Sequence, residues 1–434
     1  MADARAPSRL VVAGFGAGAL GAHLSAGTIP LLFLFYLTEF AKVPPALAGV
    51  LLAVPKIADL LLDPWIGRRT DDLARTMGSR GALLGLGSIV LPVLTLLLFA
   101  PVAGLPLPLR VGVLGALLVA MSLLSTVYTV AHTALASEIA GDMGGRSTLM
   151  SARAIGQTFS GLLASMLAPL LVSAFSDFHG GYLGMSTVLG LMSVVAMSVC
   201  WSAVRRVPLR TGVEGEARPP LLKALRQTLS NKAFYCIALV LVLMGAASSA
   251  LFSALPYANK HLLRAGPENL SLLLTPMFVA LLVGVSLSPW LTKRLRPALL
   301  LGWALLVALA GVLWFAVGPR GNASLVTGGL VFGLACGVLT VLISTLAIEA
   351  CTRSSAHGES LGLYLGILFS AEKLGQSLGG IVVGVGLEWV GSLEAPAGSP
   401  AFHRLELLWV GVPALALAIA LLPLIPLHAR LRAL

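Results

Sequence analysis

Two carboxylates and one ammonium group lie close together in a single hydrophobic stretch of this sequence. The stretch is Lys56-Ile-Ala-Asp59-Leu-Leu-Leu-Asp63-Pro64-Trp65-Ile-Gly67. On a helix, Asp59 and Asp63 share one face, and Lys56 lies one turn before Asp59. An acid at membrane depth costs at least about 2.5 kcal/mol, so such residues usually face a water-filled cavity and bind an ion or a proton. The spacing therefore predicts a cation site formed by Asp59 and Asp63, with Lys56 as a coupling residue.

A second interpretation of the same stretch stays open. Asp63-Pro64 also suits the cytosolic end of a helix, where both acids are solvated and Lys56 extends toward the headgroups. The two interpretations differ in whether the carboxylates are buried.

The composition is that of an integral membrane protein. The 434 residues are 57% hydrophobic and 11% charged, whereas a soluble protein carries about 25% charged residues. Four cysteines without a CxxC pair indicate neither a disulfide framework nor a metal site. We expect no cofactor other than a coupling ion, sodium or proton, and no metal other than a sodium ion at Asp59 and Asp63.

Windows of about 20 apolar residues predict the helices that cross the membrane. The first apolar stretch is too long for a signal-peptide core, and we expect it to remain as span 1. Twelve spans are predicted, at residues 11-37, 46-66, 82-101, 111-136, 149-174, 182-203, 233-257, 271-292, 298-317, 324-348, 360-387 and 406-427.

Basic residues are concentrated in alternate loops. With the N-terminus in the cytoplasm, 21 of the 29 Lys and Arg residues fall in cytoplasmic segments and six fall outside. This bias predicts a multi-pass protein of the cell membrane with both termini in the cytoplasm. Topology thus accounts for the net charge of +11, and we expect no nucleic-acid partner. The expected partners are a small-molecule substrate and membrane lipid, and we expect a monomer.

The longest loop separates six spans from six. We predict an N-terminal six-helix bundle at 1-203 that holds the cation site, a cytoplasmic linker at 204-232 and a C-terminal bundle at 233-434. Leucines spaced three and four residues apart in 222-229, with basic residues between them, predict a short amphipathic helix on the membrane surface.

The two halves resemble each other in sequence. Asp63-Pro64-Trp65 in span 2 matches Ser288-Pro289-Trp290 in span 8, and Ile155-Gly156-Gln157 in span 5 matches Leu374-Gly375-Gln376 in span 11. Both pairs are six spans apart, as in a transporter built from two parallel repeats. The predicted fold class is therefore an all-α membrane protein with twelve transmembrane helices in two pseudo-symmetric bundles. Gly284 takes the place of Asp59 in the second half.

Further polar residues at membrane depth are candidates for substrate binding. Lys373, near the middle of span 11, needs a partner such as Glu372, the acids of span 2 or an anionic substrate group. Arg153 in span 5 either binds substrate or pairs with loop acids such as Asp71 or Asp142. In span 4, Tyr128 is a candidate cavity residue.

Oxygen ligands and gate residues complete the predicted site. Thr129 in span 4 offers a hydroxyl oxygen suited to a small hard cation beside carboxylates. Charged residues near the cytoplasmic span ends are assigned to a gate: Asp71, Arg75, Glu138, Arg146 and Glu349.

Several of these motifs resemble those of one family. Asp59-x3-Asp63-Pro-x2-Gly67-x3-Asp71, Arg75-x2-Gly78-x-Arg80 and Lys373-Leu-Gly-Gln are similar to signatures of the glycoside-pentoside-hexuronide:cation symporters, which include melibiose permeases and belong to the major facilitator superfamily. The resemblance implies that the two acids bind sodium, lithium or a proton and that Lys373 supports coupling.

The chain departs from the sugar-transporting members in two places. They have an acid in span 1, where this chain has Gly18-Ala-Leu-Gly-Ala-His23, and an acid or Asn in mid span 4, where this chain has Thr129. A more apolar or amphiphilic solute is therefore as arguable as a sugar.

The leading functional hypothesis is a cation-coupled symporter of a small solute such as a sugar or glycoside. The alternatives are an efflux antiporter or a lysolipid transporter of the same fold. A membrane prenyltransferase needs a second Asp-rich motif, and the corresponding stretch Ser288-Pro-Trp-Leu-Thr-Lys293 has no carboxylate. We expect a transporter and not an enzyme.

Overall fold

The computed structural model describes residues 7–140, 143–175, 178–205, 207, 231–319, 321–354, 361–391 and 398–424. These residues are almost entirely helical and contain no β-strand. We number the helices α1 (Arg9–Thr28), α2 (Pro45–Met77), α3 (Arg80–Leu98), α4 (Leu107–Ile139), α5 (Met143–Ser173), α6 (Phe178–Val204), α7 (Lys232–Tyr257), α8 (Glu268–Arg294), α9 (Pro297–Val317), α10 (Asn322–Ser354), α11 (Leu361–Val390) and α12. The last comprises Pro400–Glu406, a π-helical turn at Leu407–Gly411 and Val412–Ala420.

The helices have the lengths and composition of membrane spans. Within the described residues, ten of them are long and apolar enough to cross a membrane. The other two, α2 and α11, are 33 and 30 residues long. The prediction of an all-α membrane protein is confirmed.

Polar caps fix several helix ends. The Ser79 hydroxyl accepts a hydrogen bond from the Gly81 amide at the start of α3, and the Asn231 side chain accepts from the Ala233 and Phe234 amides at the start of α7. Such caps satisfy amides that have no partner within the helix.

Helix α2 is longer than the sequence predicts. The apolar stretch ends near residue 66, but the helix continues to Met77 and stops before Gly78, whose φ is +69°. Glycine adopts this left-handed conformation without strain, and it commonly follows the last helical turn. Asp63-Pro64 therefore does not mark the end of the helix, as the second interpretation required. The hydrophobic pattern marks the extent of the span, and the glycine marks the end of the helix.

The chain divides into two compact units. The first comprises Met1–Val43 and Val54–Val213, and the second comprises Pro44–Ala53 and Glu214–Leu434. Most of the predicted linker, including the amphipathic helix at 222-229, lies outside the described residues. The domain boundaries given above stay predictions.

Four pairs of neighbouring helices recur in both units. In the first unit α1 packs against α5 and α6, and α3 packs against α4 and α6. In the second unit α7 packs against α11 and α12, and α9 packs against α10 and α12. Each helix pair of the second unit lies six helices further along the chain than its counterpart in the first unit. The sequence repeat therefore corresponds to a structural repeat.

Matched glycines make the close helix crossings of this repeat. A Cβ atom on Gly156 of α5 would collide with the Gly16 carbonyl of α1, and one on Gly375 of α11 would collide with the Val242 carbonyl of α7. Gly156 and Gly375 are the two glycines that the sequence comparison aligns. Backbone contact at these positions brings the helices close enough to position the polar side chains beside them.

The ends of spans 1 and 7 also match. Each ends in a π-helical turn, Tyr36–Phe40 or Ala258–Leu262, and a basic residue with positive φ follows two positions later. The φ angles are 52° at Lys42 and 54° at Arg264. In the first unit, the buried Arg110 side chain donates hydrogen bonds of 2.6 to 3.2 Å to the carbonyls of Ala41, Lys42, Ala103 and Leu105, which fixes this turn.

Candidate cation site and polar groups

Asp59 is buried in the first unit. Its side chain on α2 is 6% exposed, and Oδ2 accepts a hydrogen bond of 2.8 Å from the Ser122 hydroxyl on α4. Lys56, one turn earlier on α2, is half-buried. A buried carboxylate with a hydroxyl beside it presents the oxygen atoms that a small hard cation prefers.

The second predicted ligand cannot be placed in the same way. The side chain of Asp63 lies outside the described part of the structure, although the helix through it is continuous. The geometry therefore describes one carboxylate of the predicted pair, and the role of Asp63 stays a prediction.

Ser122 is a residue that sequence reasoning missed. The predicted hydroxyl ligand was Thr129, which lies seven residues later and therefore on the same face of α4, about two turns away. Thr129 is half-buried, and its carbonyl accepts a hydrogen bond from the Thr133 hydroxyl. The available signal was the recurrence of hydroxyl residues along this face: Ser122, Ser125, Thr126, Thr129 and Thr133.

The matching position in the second unit has no room for an acid. Gly284 of α8 replaces Asp59, and its backbone lies directly against the Leu334 carbonyl of α10. A Cβ atom on Gly284 would also lie 3.1 Å from the Gly337 Cα atom. At this position the first unit has the Asp59 carboxylate and the Ser122 hydroxyl. At the matching position of the second unit, the backbones of α8 and α10 are in contact.

A cluster of aromatic and histidine side chains lies between α1 and α4 of the first unit. The His132 ring stacks on Phe15, with ring centroids 4.0 Å apart, and on Tyr128, at 5.8 Å. His132 Nε2 lies 3.0 Å from the Phe15 carbonyl oxygen, and His23 Nδ1 lies 2.9 Å from that of Ala19. Because a carbonyl oxygen only accepts, His132 Nε2 and His23 Nδ1 are the nitrogens that carry a proton in the two rings.

Two predicted substrate residues adjoin this cluster. Tyr128 is buried, and its hydroxyl donates to the Gly18 carbonyl at 3.4 Å. Arg153 is half-buried on α5, within the range of electrostatic interaction with His23 and His132. The structure therefore brings Tyr128 and Arg153 to the same group of helices in the first unit.

Lys373 lies on α11 of the second unit. It is half-buried, and its carbonyl accepts a hydrogen bond from the Ser377 hydroxyl. The neighbouring Glu372 accepts a hydrogen bond of 3.2 Å from the Gln376 side chain, and the Ser249 hydroxyl of α7 donates to the Gln376 carbonyl at 2.7 Å. Lys373 is thus adjacent in the chain to a polar group formed by α7 and α11.

Two of the predicted gate residues form ion pairs within the first unit. Glu138 at the end of α4 accepts from Arg80 at the start of α3, with an Nε to Oε1 distance of 2.7 Å and side chains that are 6% and 14% exposed. Arg75 lies 3.8 Å from Asp72 on the surface of α2. The side chains of Asp71, Arg146 and Glu349 lie outside the described residues, so their roles stay predictions. Sequence analysis placed Arg80 in the motif Arg75-x2-Gly78-x-Arg80 and did not predict this pairing.

The fold and the polar residues buried in its apolar helices define a multi-pass membrane transporter. The chain belongs to the MFS/sugar transport protein family, which matches residues 14–428. The predicted resemblance to the cation symporters of the major facilitator superfamily is thereby confirmed, and the chain is a transporter and not an enzyme.

Two bacterial transporters are similar to this chain over most of its length. The inner membrane symporter YicJ of Escherichia coli (strain K12) is 22% identical, covering 93% of this chain and 88% of its own. The isoprimeverose transporter of Lactiplantibacillus pentosus is 20% identical, covering 93% and 85%. The crystal structure of the nucleoside transporter NupG matches with a TM-score of 0.70 at 14% identity, covering 97% of this chain and 99% of that one. This structural likeness concerns the fold.

Proposed function

We propose that the protein is a cation-coupled symporter that moves a small solute, such as a sugar or glycoside, across the cell membrane by alternating access. The observation that carries this proposal is the buried Asp59 carboxylate with the Ser122 hydroxyl 2.8 Å away. Carboxylate and hydroxyl oxygens are the ligands that a small hard cation prefers, and acids at membrane depth usually bind an ion or a proton. We assign to Asp59 a sodium ion or a proton that binds and leaves in each cycle.

The difference between the two repeats supports this assignment. The first unit has Asp59 at a position whose match in the second unit has no acid. The second unit has Gly284 instead, packed against the Leu334 carbonyl. Asp59 is therefore a specialised feature of the first unit, as a binding residue is.

The relatives agree with this function at a coarser level. YicJ is named a symporter, and the relative from Lactiplantibacillus pentosus is named for the disaccharide isoprimeverose. We extend both properties to this chain as parts of the proposal. The distribution of basic residues supports cytoplasmic termini in the same way.

Solute uptake under imposed gradients tests the proposal. Membrane vesicles that contain the protein are given radiolabelled isoprimeverose, glucose or glucuronate together with an inward sodium or proton gradient. We expect gradient-driven accumulation in the wild type and a reduction of at least about tenfold in Asp59→Cys, because a hydrogen-bonded charged ligand contributes about 1.5–3 kcal/mol.

Asp72→Cys is the matched control, because Asp72 lies on the same helix and its side chain is 61% exposed. It should accumulate solute as the wild type does. Equal coupled uptake in Asp59→Cys and Asp72→Cys would remove the basis of the proposal. Accumulation driven only by an outward cation gradient would instead identify an antiporter.

A further inference from the structure

We infer that Glu372 and Gln376 of α11 accept hydrogen bonds from hydroxyl groups of the transported solute and so select among polyhydroxylated compounds. The inference rests on the proposed transport function and deepens it, because it assigns a specificity-determining contact to the second unit. It commits to a solute with at least one hydroxyl group that donates to a carboxylate, as sugars and other polyols have.

Glu372 is a carboxylate near the middle of a long apolar helix. It lies about 17 Å along α11 from Leu361, the first residue of this 30-residue helix. In the sequence it is the one acid between Leu361 and Ile381, and its side chain is half-buried. An acid at membrane depth is costly, and such residues usually face the bundle interior or a water-filled cavity and have a function.

The Gln376 side chain lies one turn after Glu372 on α11 and is also half-buried. Its Nε2 atom donates a hydrogen bond of 3.2 Å to Glu372 Oε1, so the amide oxygen is the accepting end of this side chain. A carboxylate offers about four acceptor positions and an amide oxygen two, which is more than this one contact uses. The pair therefore presents oxygen acceptors one turn apart, an arrangement suited to neighbouring hydroxyl groups.

Contacts with α7 fix the backbone that carries the pair. The Ser249 hydroxyl of α7 donates a hydrogen bond of 2.7 Å to the Gln376 carbonyl. A Cβ atom built on Gly245 of α7 would lie 3.1 Å from the Glu372 carbonyl oxygen. The backbones of both acceptor residues are therefore held against one helix, and acceptors that are held in place before binding discriminate better between solutes.

The exposed face of α11 is apolar and lies elsewhere on the helix. Four side chains that are 41% to 51% exposed follow one another at spacings of three or four residues: Leu374, Leu378, Val382 and Val385. At about 100° per residue, Gln376 lies about 160° from the middle of this stripe and Glu372 about 120°. An apolar stripe on a transmembrane helix suits contact with lipid, so the polar pair is directed away from lipid.

The first unit has a different group at the position of Glu372. The aligned segments Ile155-Gly156-Gln157 and Leu374-Gly375-Gln376 match Arg153 to Glu372. A guanidinium only donates hydrogen bonds, whereas an ionised carboxylate only accepts them. The repeats therefore differ in hydrogen-bonding character at this position, and a carboxylate beside an amide is a property of the second repeat.

Binding of sugars and their monodeoxy derivatives to the purified full-length protein tests the inference. The probes are isoprimeverose, xylose, glucose and galactose, and affinity is measured from thermal stabilisation as a function of sugar concentration. In the wild type we expect at least one monodeoxy derivative to bind about tenfold or more weakly than its parent sugar, because a hydrogen bond to a charged group is lost. No binding of any of the four sugars, or equal binding of every derivative and its parent, overturns the inference.

Substitutions assign this selectivity to the pair. Glu372→Ala should reduce the affinity ratio of parent to derivative to less than about threefold for the hydroxyl in question, and it should leave the ratios for the other hydroxyls unchanged. A loss of stability alone does not change one ratio and spare the others. Glu372→Gln keeps an acceptor oxygen and should retain part of the ratio, and Gln376→Ala should lower the ratio for the same hydroxyl or its neighbour.

Glu388→Ala is the matched control, because Glu388 is an exposed carboxylate on the same helix. It should keep every ratio of the wild type. Unchanged ratios in Glu372→Ala and Gln376→Ala overturn the inference. If Glu372→Ala does not yield folded protein, Gln376→Ala and Glu372→Gln decide by the same ratios.

Uptake into membrane vesicles separates this inference from the symport proposal. If a sodium or proton gradient drives accumulation that needs Asp59, while Glu372→Ala keeps the selectivity of the wild type, the inference fails and the symport proposal stands. If Glu372→Ala loses the selectivity and neither gradient drives accumulation in the wild type, the inference stands and the symport proposal fails.

Discussion

The Ser122 hydroxyl donates a 2.8 Å hydrogen bond to Asp59 Oδ2 and so joins α4 to α2 inside the first unit. Neither helix alone forms this pair. The relationship makes α4 part of the candidate cation site, and it leads to predictions for residues on both helices.

Ser122→Ala should weaken the response to the coupling cation. The substitution removes the hydroxyl oxygen that we assign as a ligand beside the Asp59 carboxylate, so we expect sodium affinity to fall roughly tenfold, equivalent to about 1.4 kcal/mol. The measurement is the concentration of sodium that gives half-maximal thermal stabilisation. Ser202→Ala is the control, because the Ser202 hydroxyl is exposed and donates a hydrogen bond to the Val199 carbonyl of its own helix. A sodium response in Ser122→Ala equal to that of the control would show that the hydroxyl is not part of the site.

Gly284→Ala should destabilise the second unit. Its methyl group would overlap the Leu334 carbonyl, and overpacking of this kind costs about 1–3 kcal/mol. The measurement is the thermal unfolding temperature. For comparison, Gly302→Ala on α9 meets nothing closer than 3.6 Å and should be neutral or slightly stabilising, because alanine favours helix by up to about 1 kcal/mol. If the two variants unfold alike, the close crossing of α8 and α10 is not as described.

Lys42→Gly and Arg264→Gly should each stabilise the protein slightly. Both residues have a positive φ, at 52° and 54°, where glycine avoids a strain of about 1 kcal/mol. Lys293→Gly, in the last turn of α8, should have the opposite effect because glycine there weakens a helix. Unfolding temperatures of the three variants provide the test. Destabilisation in all three would contradict the left-handed turns at the ends of spans 1 and 7.

Removal of either partner of the Arg80 and Glu138 pair should be strongly destabilising. Arg80→Met or Glu138→Leu removes one member of this buried ion pair, a change that costs about 3–5 kcal/mol. The double variant Arg80→Met with Glu138→Leu should unfold at a higher temperature than either single variant. A double-mutant cycle on unfolding temperatures measures this coupling, and additive effects would mean that the pair contributes nothing.

The sequence predicts much of this fold because the membrane restricts the choices. Apolar stretches of span length, the charge bias of the loops and the aligned Gly156 and Gly375 are all local signals, and together they indicate a repeated helical architecture. Asp59 is also identifiable from the sequence, because a carboxylate at membrane depth is costly and so indicates a functional role.

Other features depend on contacts that the sequence does not display. Serines such as Ser122 are common in membrane helices, and only the packing of α2 against α4 shows which one meets Asp59. Arg110 counts as one loop charge in the sequence, yet it binds four carbonyls from two segments. Helix α2 continues eleven residues beyond the predicted span, to Met77, because hydrophobicity reports burial in lipid and not helical conformation.

The cation response of the purified protein tests the central claim most directly. Thermal stability is measured in sodium, lithium and choline chloride at fixed pH, and in choline chloride across a range of pH, for the wild type, Asp59→Asn and Asp72→Asn. We predict that the wild type and Asp72→Asn share a response to sodium, lithium or protons and that Asp59→Asn loses it. An identical response in all three proteins would contradict the assignment of Asp59 as the residue that holds the coupling cation.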